Sequence, residues 1–327
     1  MTIVEEPILR IEKLSINYGK NEKKVHALRN INLNIRKSEC LGIAGESGCG
    51  KSTLAMSIMK LLPKTAHYSE GHAFFDNTDL MNCTEKKMRS IRLNKIAMVF
   101  QNPMSCLNPF KRIGKQLEEG FLHQPQMSSV DVKKEAIKLL SQVKFDEPNR
   151  IYKSYPHELS GGMCQRVMIA MAISQKPDLL IADEPTTALD VTTQKDVLEL
   201  LNELRSVFKM SMLFITHDLS VLNKMCDRIV VMYAGEVVEI ANKNKFFKNT
   251  KHPYSKSLIE ACPSLKGPKE SLLKAIPGTP PDLKSLSELC SFLPRCDKKI
   301  PQCENRAIGL VNKNNHSSRC HLSEEGI

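Results

Sequence analysis

Leu41-Gly-Ile-Ala44 followed by Gly45-Glu-Ser-Gly-Cys-Gly-Lys51-Ser52 is the stretch on which the reading of this chain turns. The apolar run to Ala44 reads as a buried strand, and residues 53–62 read as a helix stopped by Pro63. Between them lies the Gly-x-x-x-x-Gly-Lys-Ser spacing of a phosphate-binding loop. Glycines let the main chain wrap an anion, so successive N–H groups and the helix N-terminus point at it. The nucleotide contacts expected here are Gly45, Glu46, Ser47, Gly48, Cys49, Gly50, Lys51, Ser52 and Thr53. Lys51 would reach the β- and γ-phosphates, and the Ser52 hydroxyl would ligate Mg²⁺.

Downstream, Leu179-Leu-Ile-Ala-Asp183-Glu184 supplies a second half. An apolar strand delivers Asp183 to Mg²⁺, and Glu184 could accept a proton from an attacking water, which points to hydrolysis. Leu159-Ser160-Gly161-Gly162-Met163 opens another helix, with Ser160 as its N-cap and two glycines that permit close approach to a phosphate. One nucleotide hardly needs two γ-phosphate sites. The economical answer is that the second site serves a nucleotide bound mainly by another subunit.

Around these motifs the pattern alternates. Residues 8–18, 31–36, 41–44, 96–100, 179–182 and 212–216 read as strands, while 132–143 and 193–208 are amphipathic helices. This is an α/β sheet, mostly parallel, with an inserted helical region. After about residue 245, prolines at 253, 263, 268, 277, 280, 281, 294 and 301 break up any long element. The chain has 327 residues, enough for two domains, with 41% hydrophobic and 25% charged residues, as in an ordinary globular protein. Its longest apolar runs fall far short of the roughly 20 residues of a membrane span. The N-terminal residues lack the features of a signal peptide, so a cytosolic chain is expected. Net charge is +11, of which residues 241–327 carry +7 (15 Lys/Arg against 8 Asp/Glu). That basic tail could face phosphate, an anionic membrane surface or an acidic partner.

Taken in order, these strings resemble the ATP-binding subunit of an ABC transporter across roughly residues 8–245. The resemblance implies a P-loop ABC ATPase cassette, residues 1–245, with a RecA-like core and a helical subdomain at about 102–175. It also implies roles for residues that pattern alone leaves mute. Gln101 matches the Q-loop and would join Ser52 and Asp183 at Mg²⁺. Ala188-Leu189-Asp190 matches the D-loop, His217 the switch histidine, and Tyr18 the ring against adenine. Two cassettes would close head to tail around two ATP molecules, with Ser160, Gly161 and Gly162 facing the partner's nucleotide. Catalysis would fall to Glu184, His217, Gln101 and Lys51.

Finer strings resemble the oligopeptide/dipeptide/nickel importer subgroup: Phe100-Gln-Asn-Pro-Met-Ser-Cys-Leu-Asn-Pro109, Tyr155-Pro-His-Glu-Leu-Ser-Gly-Gly-Met163, Met232-Tyr-Ala-Gly-Glu-Val-Val-Glu239, His252-Pro-Tyr-Ser-Lys-Ser-Leu258, Ile276-Pro-Gly-Thr-Pro-Pro-Asp-Leu283 and Cys290-Ser-Phe-Leu-Pro-Arg-Cys296. By that resemblance the chain couples ATP hydrolysis to peptide uptake, with nickel, a metallophore or glutathione as other cargoes. Its partners would be two transmembrane permease subunits, a second homologous ATPase in a heterodimer, and a solute-binding protein acting through the complex. It would sit peripherally on the cytoplasmic face of the cell membrane. Cys164 and Ser38 depart from the subgroup, which usually has a basic residue and a glycine there; both positions read as tolerant. Residues 246–327 would be the C-terminal oligopeptide-transporter-type module.

Cys290, Cys296, Cys303 and Cys320 have five, six and sixteen residues between them, which fits neither close zinc-finger pairs nor the bacterial ferredoxin run. Spacing leaves the metal open. The subgroup resemblance associates such a tail with a [4Fe–4S] cluster on those four cysteines. His316 and His321 read as exposed polar residues rather than ligands, and Met163, Met168 and Met171 as packing. A non-transport ABC ATPase is the rival class, although two fused cassettes or long arms are absent. Nucleic acid is not an expected partner, because aromatic residues are only 5% and Trp is absent.

Overall fold

The computed structural model describes residues 6–19, 24–121, 126–187, 189–262 and 275–324. In chain order its strands are β1 (Leu9–Tyr18), β2 (Val25–Ile35), β3 (Cys40–Ala44), β4 (Ala66–Phe75), β5 (Thr78–Asp79), β6 (Ile96–Val99), β7 (Leu179–Asp183), β8 (Ser211–Ile215), β9 (Arg228–Tyr233), β10 (Glu236–Asn242), β11 (Val311–Lys313) and β12 (His316–Ser318). The chain divides into two compact units: residues 1–83 with 214–327, and residues 84–213.

The first unit holds an antiparallel sheet in the order β2-β1-β4-β5. A register shift between Ile11 and Leu14, with Lys13 at φ +50°, interrupts the alternation of β1. Past it, Leu14, Ser15, Ile16 and Asn17 are all buried. Elsewhere in this unit β3 runs parallel to β9, Leu41 opposite Arg228 and Ala44 opposite Val231. β3 is apolar and buried along its whole length, as parallel strands covered on both faces are. β9 and β10 form a hairpin through Ala234 and Gly235, and β11 and β12 form another through Asn314 and Asn315. All four turn residues have positive φ, the backbone that twisted two-residue hairpins need.

β12 pairs with β10, Glu239 opposite Ser318, so the Pro-rich tail extends the sheet of the cassette. Beneath that pairing the fully buried Glu239 carboxylate accepts from the Lys251 and His252 amides and lies 2.6 Å from His316 Nε2. Phe292 of the tail packs on Tyr233 and Tyr254, with each ring centroid 5.3 Å away. Arg29 donates to Ser291 Oγ and the Ser287 carbonyl. Among the described residues the tail thus packs on β9 and pairs with β10, and Arg29 of β2 ties it by hydrogen bonds.

Three expectations are corrected here. His316 and His321 are each only 3% exposed, because the hairpin pairing turns one inward and the Arg306 carbonyl engages the other. The first helix spans Lys51–Ile58 and ends well before Pro63; Lys60 takes φ +51° and its ammonium ties down the Met81 and Cys83 carbonyls. Ser38 sits at φ +58°, a left-handed position that suits the glycine of the subgroup better, so it is not a neutral site.

In the second unit β6 and β7 pair in parallel, Ile96 opposite Leu179. Helices fill the rest, among them Glu85–Asn94, Ile113–Glu119, Ser129–Gln142, Pro148–Lys153, Gly161–Ile173 and Val191–Phe208. Ala136, Leu139 and Leu140 form the buried stripe of the Ser129–Gln142 helix, which Ser128 caps. Cys164 is fully buried with its thiol toward the Pro156 carbonyl, so that position is a packed one.

Candidate functional site

The phosphate loop leaves β3 at Gly45, and its shape is imposed by neighbouring main chain. A Cβ on Gly45 (φ +153°) would lie 2.3 Å from the Met232 carbonyl oxygen, and one on Gly50 (φ +105°) 2.5 Å from that of Ala27. Neither oxygen can swing aside as a side chain would, so only glycine fits. Gly48 instead faces open space. Lys51 is 6% exposed, and its ammonium donates to the Gly45 and Glu46 carbonyls at 2.8 and 3.0 Å. It is thereby folded over the loop that it would serve. The Cys49 thiol lies 3.8 Å from that ammonium, yet burial dominates and pushes its pKa up, which makes it an inert packing group. Ser52 and Thr53 lie in the first turn of the Lys51–Ile58 helix, whose Gly50 N-cap offers no side-chain cap.

The same unit carries Tyr18, half-buried at the end of β1, and His217, exposed two residues after β8. Thr216 fixes the approach to His217 by donating its amide to the Ile43 carbonyl. Asp218 then caps the Leu219–Met225 helix.

In the second unit, β7 is buried throughout and ends in Asp183. Glu184 follows in the left-handed region at φ +47°, a conformation that costs a non-glycine residue about 1–2 kcal/mol. Its Oε2 accepts from Gln101 Nε2 at 3.0 Å and from Thr187 Oγ1 at 2.9 Å. Two donors on one oxygen fix the carboxylate's orientation. Ala188 lies outside the described residues; Asp190 caps the Val191–Phe208 helix, accepting from the Thr192 and Thr193 amides and the Thr193 hydroxyl. Those bonds hold its carboxyl below the usual range. Ser160 caps the Gly161–Ile173 helix as expected, its Oγ accepting from the Met163 amide at 3.3 Å. At Gly162 an added Cβ would lie 2.3 Å from Thr193 Cγ2, a steric demand for glycine that adds to the expected phosphate approach. Only Gly161 has room before it, with the nearest atom at 4.0 Å.

Cys290, Cys296, Cys303 and Cys320 converge on one small cavity of about 20 Å³, which His252, Arg319 and His321 also line. Burial, with the other thiols adding to it, pushes Cys290 and Cys320 up to about 11. The donors are soft thiols of the kind iron–sulfur clusters use. Among the described residues, however, no group of three or more His, Cys, Asp or Glu is disposed to hold a metal ion. The [4Fe–4S] expectation is unsupported.

Sequence reading missed three partners. Thr187 orients Glu184, Thr193 serves both Asp190 and Gly162, and the tail reaches the phosphate loop: Tyr254 Oη accepts from the Glu46 amide at 2.8 Å, while Arg295 grips the Glu46 carboxylate. Thr187 and Thr193 lie three residues from the carboxylates they serve, so those two contacts were open to a cap-and-turn reading, whereas Gly162 is far from Thr193 in sequence. The third spans 249 residues and has no local signal.

The chain is similar to known proteins along most of its length. The ABC transporter family matches residues 28–187, and the oligopeptide/dipeptide transporter C-terminal region matches residues 238–303. The dipeptide transport ATP-binding protein DppD of Bacillus subtilis is 41% identical over 324 residues, covering 98% of this chain and 96% of that protein. This chain belongs to the ABC transporter ATP-binding family. Its similarity to the oligopeptide transport ATP-binding protein OppD of Escherichia coli is 42% over 300 residues, 92% of this chain and 88% of that one. Among solved structures, the dimeric ATP-binding cassette MJ0796 bound to ADP and Pi matches with a TM-score of 0.65 and 31% identity, covering 72% of this chain and 98% of that one. As an ABC ATPase the chain is an ATP hydrolase, and the family implies ATP and Mg²⁺. No helix among the described residues is long and apolar enough to cross a membrane.

Proposed function

We propose that this ABC ATPase drives a peptide importer, hydrolysing ATP on the cytoplasmic face of the membrane beneath two permease subunits. A second, homologous ATPase completes a heterodimer, and a solute-binding protein delivers the cargo. Similarity to dipeptide and oligopeptide subunits along nearly the whole chain, tail included, supports the cargo class. The double anchoring of Glu184 by Gln101 and Thr187 carries the chemistry. A carboxylate held in one orientation, on a strained backbone, suits a general base that must meet one water. In the first unit, the loop amides and Lys51 hold phosphates, Tyr18 meets adenine, Ser52 takes Mg²⁺ and His217 steadies the transferred phosphoryl. In the second, Asp183 and Gln101 serve Mg²⁺, Glu184 is the base, and Ser160 to Gly162 with Asp190 face the partner's nucleotide. Mg²⁺ supplies charge neutralisation along the phosphates.

In this reading the cassette comprises residues 1–245, with a helical subdomain at about 102–175, and residues 246–327 form the transporter tail. Only the subgroup resemblance assigns the four tail thiols to an iron–sulfur cluster; on that assignment iron and visible absorbance should accompany the purified chain and vanish in Cys296→Ser. For the main reading, Glu184→Gln in the assembled complex should retain Mg·ATP while turnover falls about 10²–10⁴-fold. Undiminished turnover would remove Glu184 as the base. Peptide uptake that persists after deletion of the chain would remove the cargo.

A further inference from the structure

Glu46 poses an electrostatic problem. It places a carboxylate inside a loop whose purpose is to gather anionic phosphates. In this structure that carboxylate is gripped at both oxygens by the Arg295 guanidinium, Nη1 at 2.6 Å from Oε2 and Nη2 at 3.0 Å from Oε1. Such a two-pronged pair neutralises the charge and fixes its direction together. The Arg295 side chain is 4% exposed and that of Glu46 26%, so the pair is buried from the arginine side and partly open to solvent at the carboxylate. It is also held from behind. Nε donates to the Pro277 carbonyl at 2.8 Å, Nη1 reaches Tyr233 Oη at 3.3 Å, and the guanidinium lies 5.9 Å from the centroid of the Phe292 ring. From the other side Tyr254 Oη takes the Glu46 amide proton. Two tail residues thus clamp one loop residue by its main chain and its side chain.

We propose that Arg295 is a positioning residue for nucleotide binding: by masking Glu46 and turning it toward the tail, it keeps the phosphate loop a net acceptor of anions. The proposal rests on the assignment of residues 45–52 as the ATP-phosphate site. It gives the tail a role in the ATPase itself, carried through one ion pair.

The test is equilibrium binding of nucleotides to the full-length chain. Arg295→Met should weaken Mg·ATP binding about five- to tenfold, the effect of one unmasked charge near the phosphates at intermediate dielectric. The loss should shrink from ATP to ADP to AMP, because it scales with phosphate charge. Adding Glu46→Gln to Arg295→Met should restore most of the affinity, since the charge that needed masking is gone. Arg295→Lys, which keeps the charge and loses the fork, should fall between. A double variant as weak as Arg295→Met, or an equal loss for all three nucleotides, would show that Arg295 merely braces the tail and would overturn the proposal. So would unchanged affinity in Arg295→Met. Lys51→Ala run in parallel separates the two claims: if it still binds ATP normally, the phosphate-site assignment itself is at fault.

Discussion

The Lys51–Ile58 helix and the Gly161–Ile173 helix both begin at glycines, one in each compact unit, but the glycines answer different needs. At the first, positive φ and nearby carbonyl oxygens exclude any Cβ, and no side chain caps the exposed amides. What remains is a stiff cradle of donors. At the second, Ser160 already satisfies the Met163 amide, and Gly162 is needed because a Thr193 methyl fills the space. This start presents one open face, at Gly161, on a tightly packed pair of helices. A motif glycine reports a missing side chain; the surroundings say whether a phosphate, a carbonyl or a neighbouring helix required it.

The comparison assigns the two starts to different nucleotides, and it can be broken there. Lys51→Ala should lower the chain's own affinity for Mg·ATP about a thousandfold, because more than one charge-assisted hydrogen bond is lost at about 1.5–3 kcal/mol each. Ser160→Arg should leave that affinity within about threefold, yet cut turnover of the assembled pair at least a hundredfold. Calorimetry on the single chain and phosphate release by the complex read these separately. If Ser160→Arg weakens binding to the single chain, both starts serve one nucleotide and the distinction fails.

A second contrast concerns rescue. Gly50→Ala would press a methyl against the Ala27 carbonyl in a left-handed backbone, and it should cost about 3 kcal/mol or more with no side chain to trim. Gly162→Ala should cost about 1–3 kcal/mol, and Thr193→Ser should recover most of it by removing Cγ2 while keeping the hydroxyl that Asp190 holds. Denaturation midpoints of the four variants decide it. A Gly162→Ala loss untouched by Thr193→Ser would place the constraint elsewhere.

Legibility in the sequence followed the range of the interactions. The strand, loop and helix around Gly45 depend on residues within a few positions of one another, so period and spacing revealed them. The same holds for the Ser160 cap and for Asp183 at the end of β7. Helix length failed where a distant tie decided it, since Lys60 is set by carbonyls more than twenty residues away while Pro63 merely follows. The tail was least legible. Its prolines signalled loops, yet a three-residue strand on β10 and Phe292 packed against two tyrosines bury His316 and bring Arg295 to Glu46. Nothing local announces a partner 249 residues away.

The junction of tail and cassette also gives the smallest expected effect and the plainest contrast between the units. His252 is wholly buried beside Glu239, and burial, only partly offset by that carboxylate, lowers its pKa from 6.5 to about 4. A histidine held neutral in the fold lends full stability above its unfolded pKa of about 6.5 and loses it as pH falls toward 4. Between pH 7 and pH 5 the first unit should therefore lose about 2 kcal/mol that the second does not share through this group. Hydrogen exchange should show β10 and the Pro253–Glu260 helix loosening at pH 5 before β6 and β7 do. His252→Gln, which can still accept the Tyr254 amide proton, should flatten that dependence even if it lowers stability at pH 7. Equal acid sensitivity in His252→Gln and the unaltered chain would assign the loosening to carboxylates instead of this buried histidine.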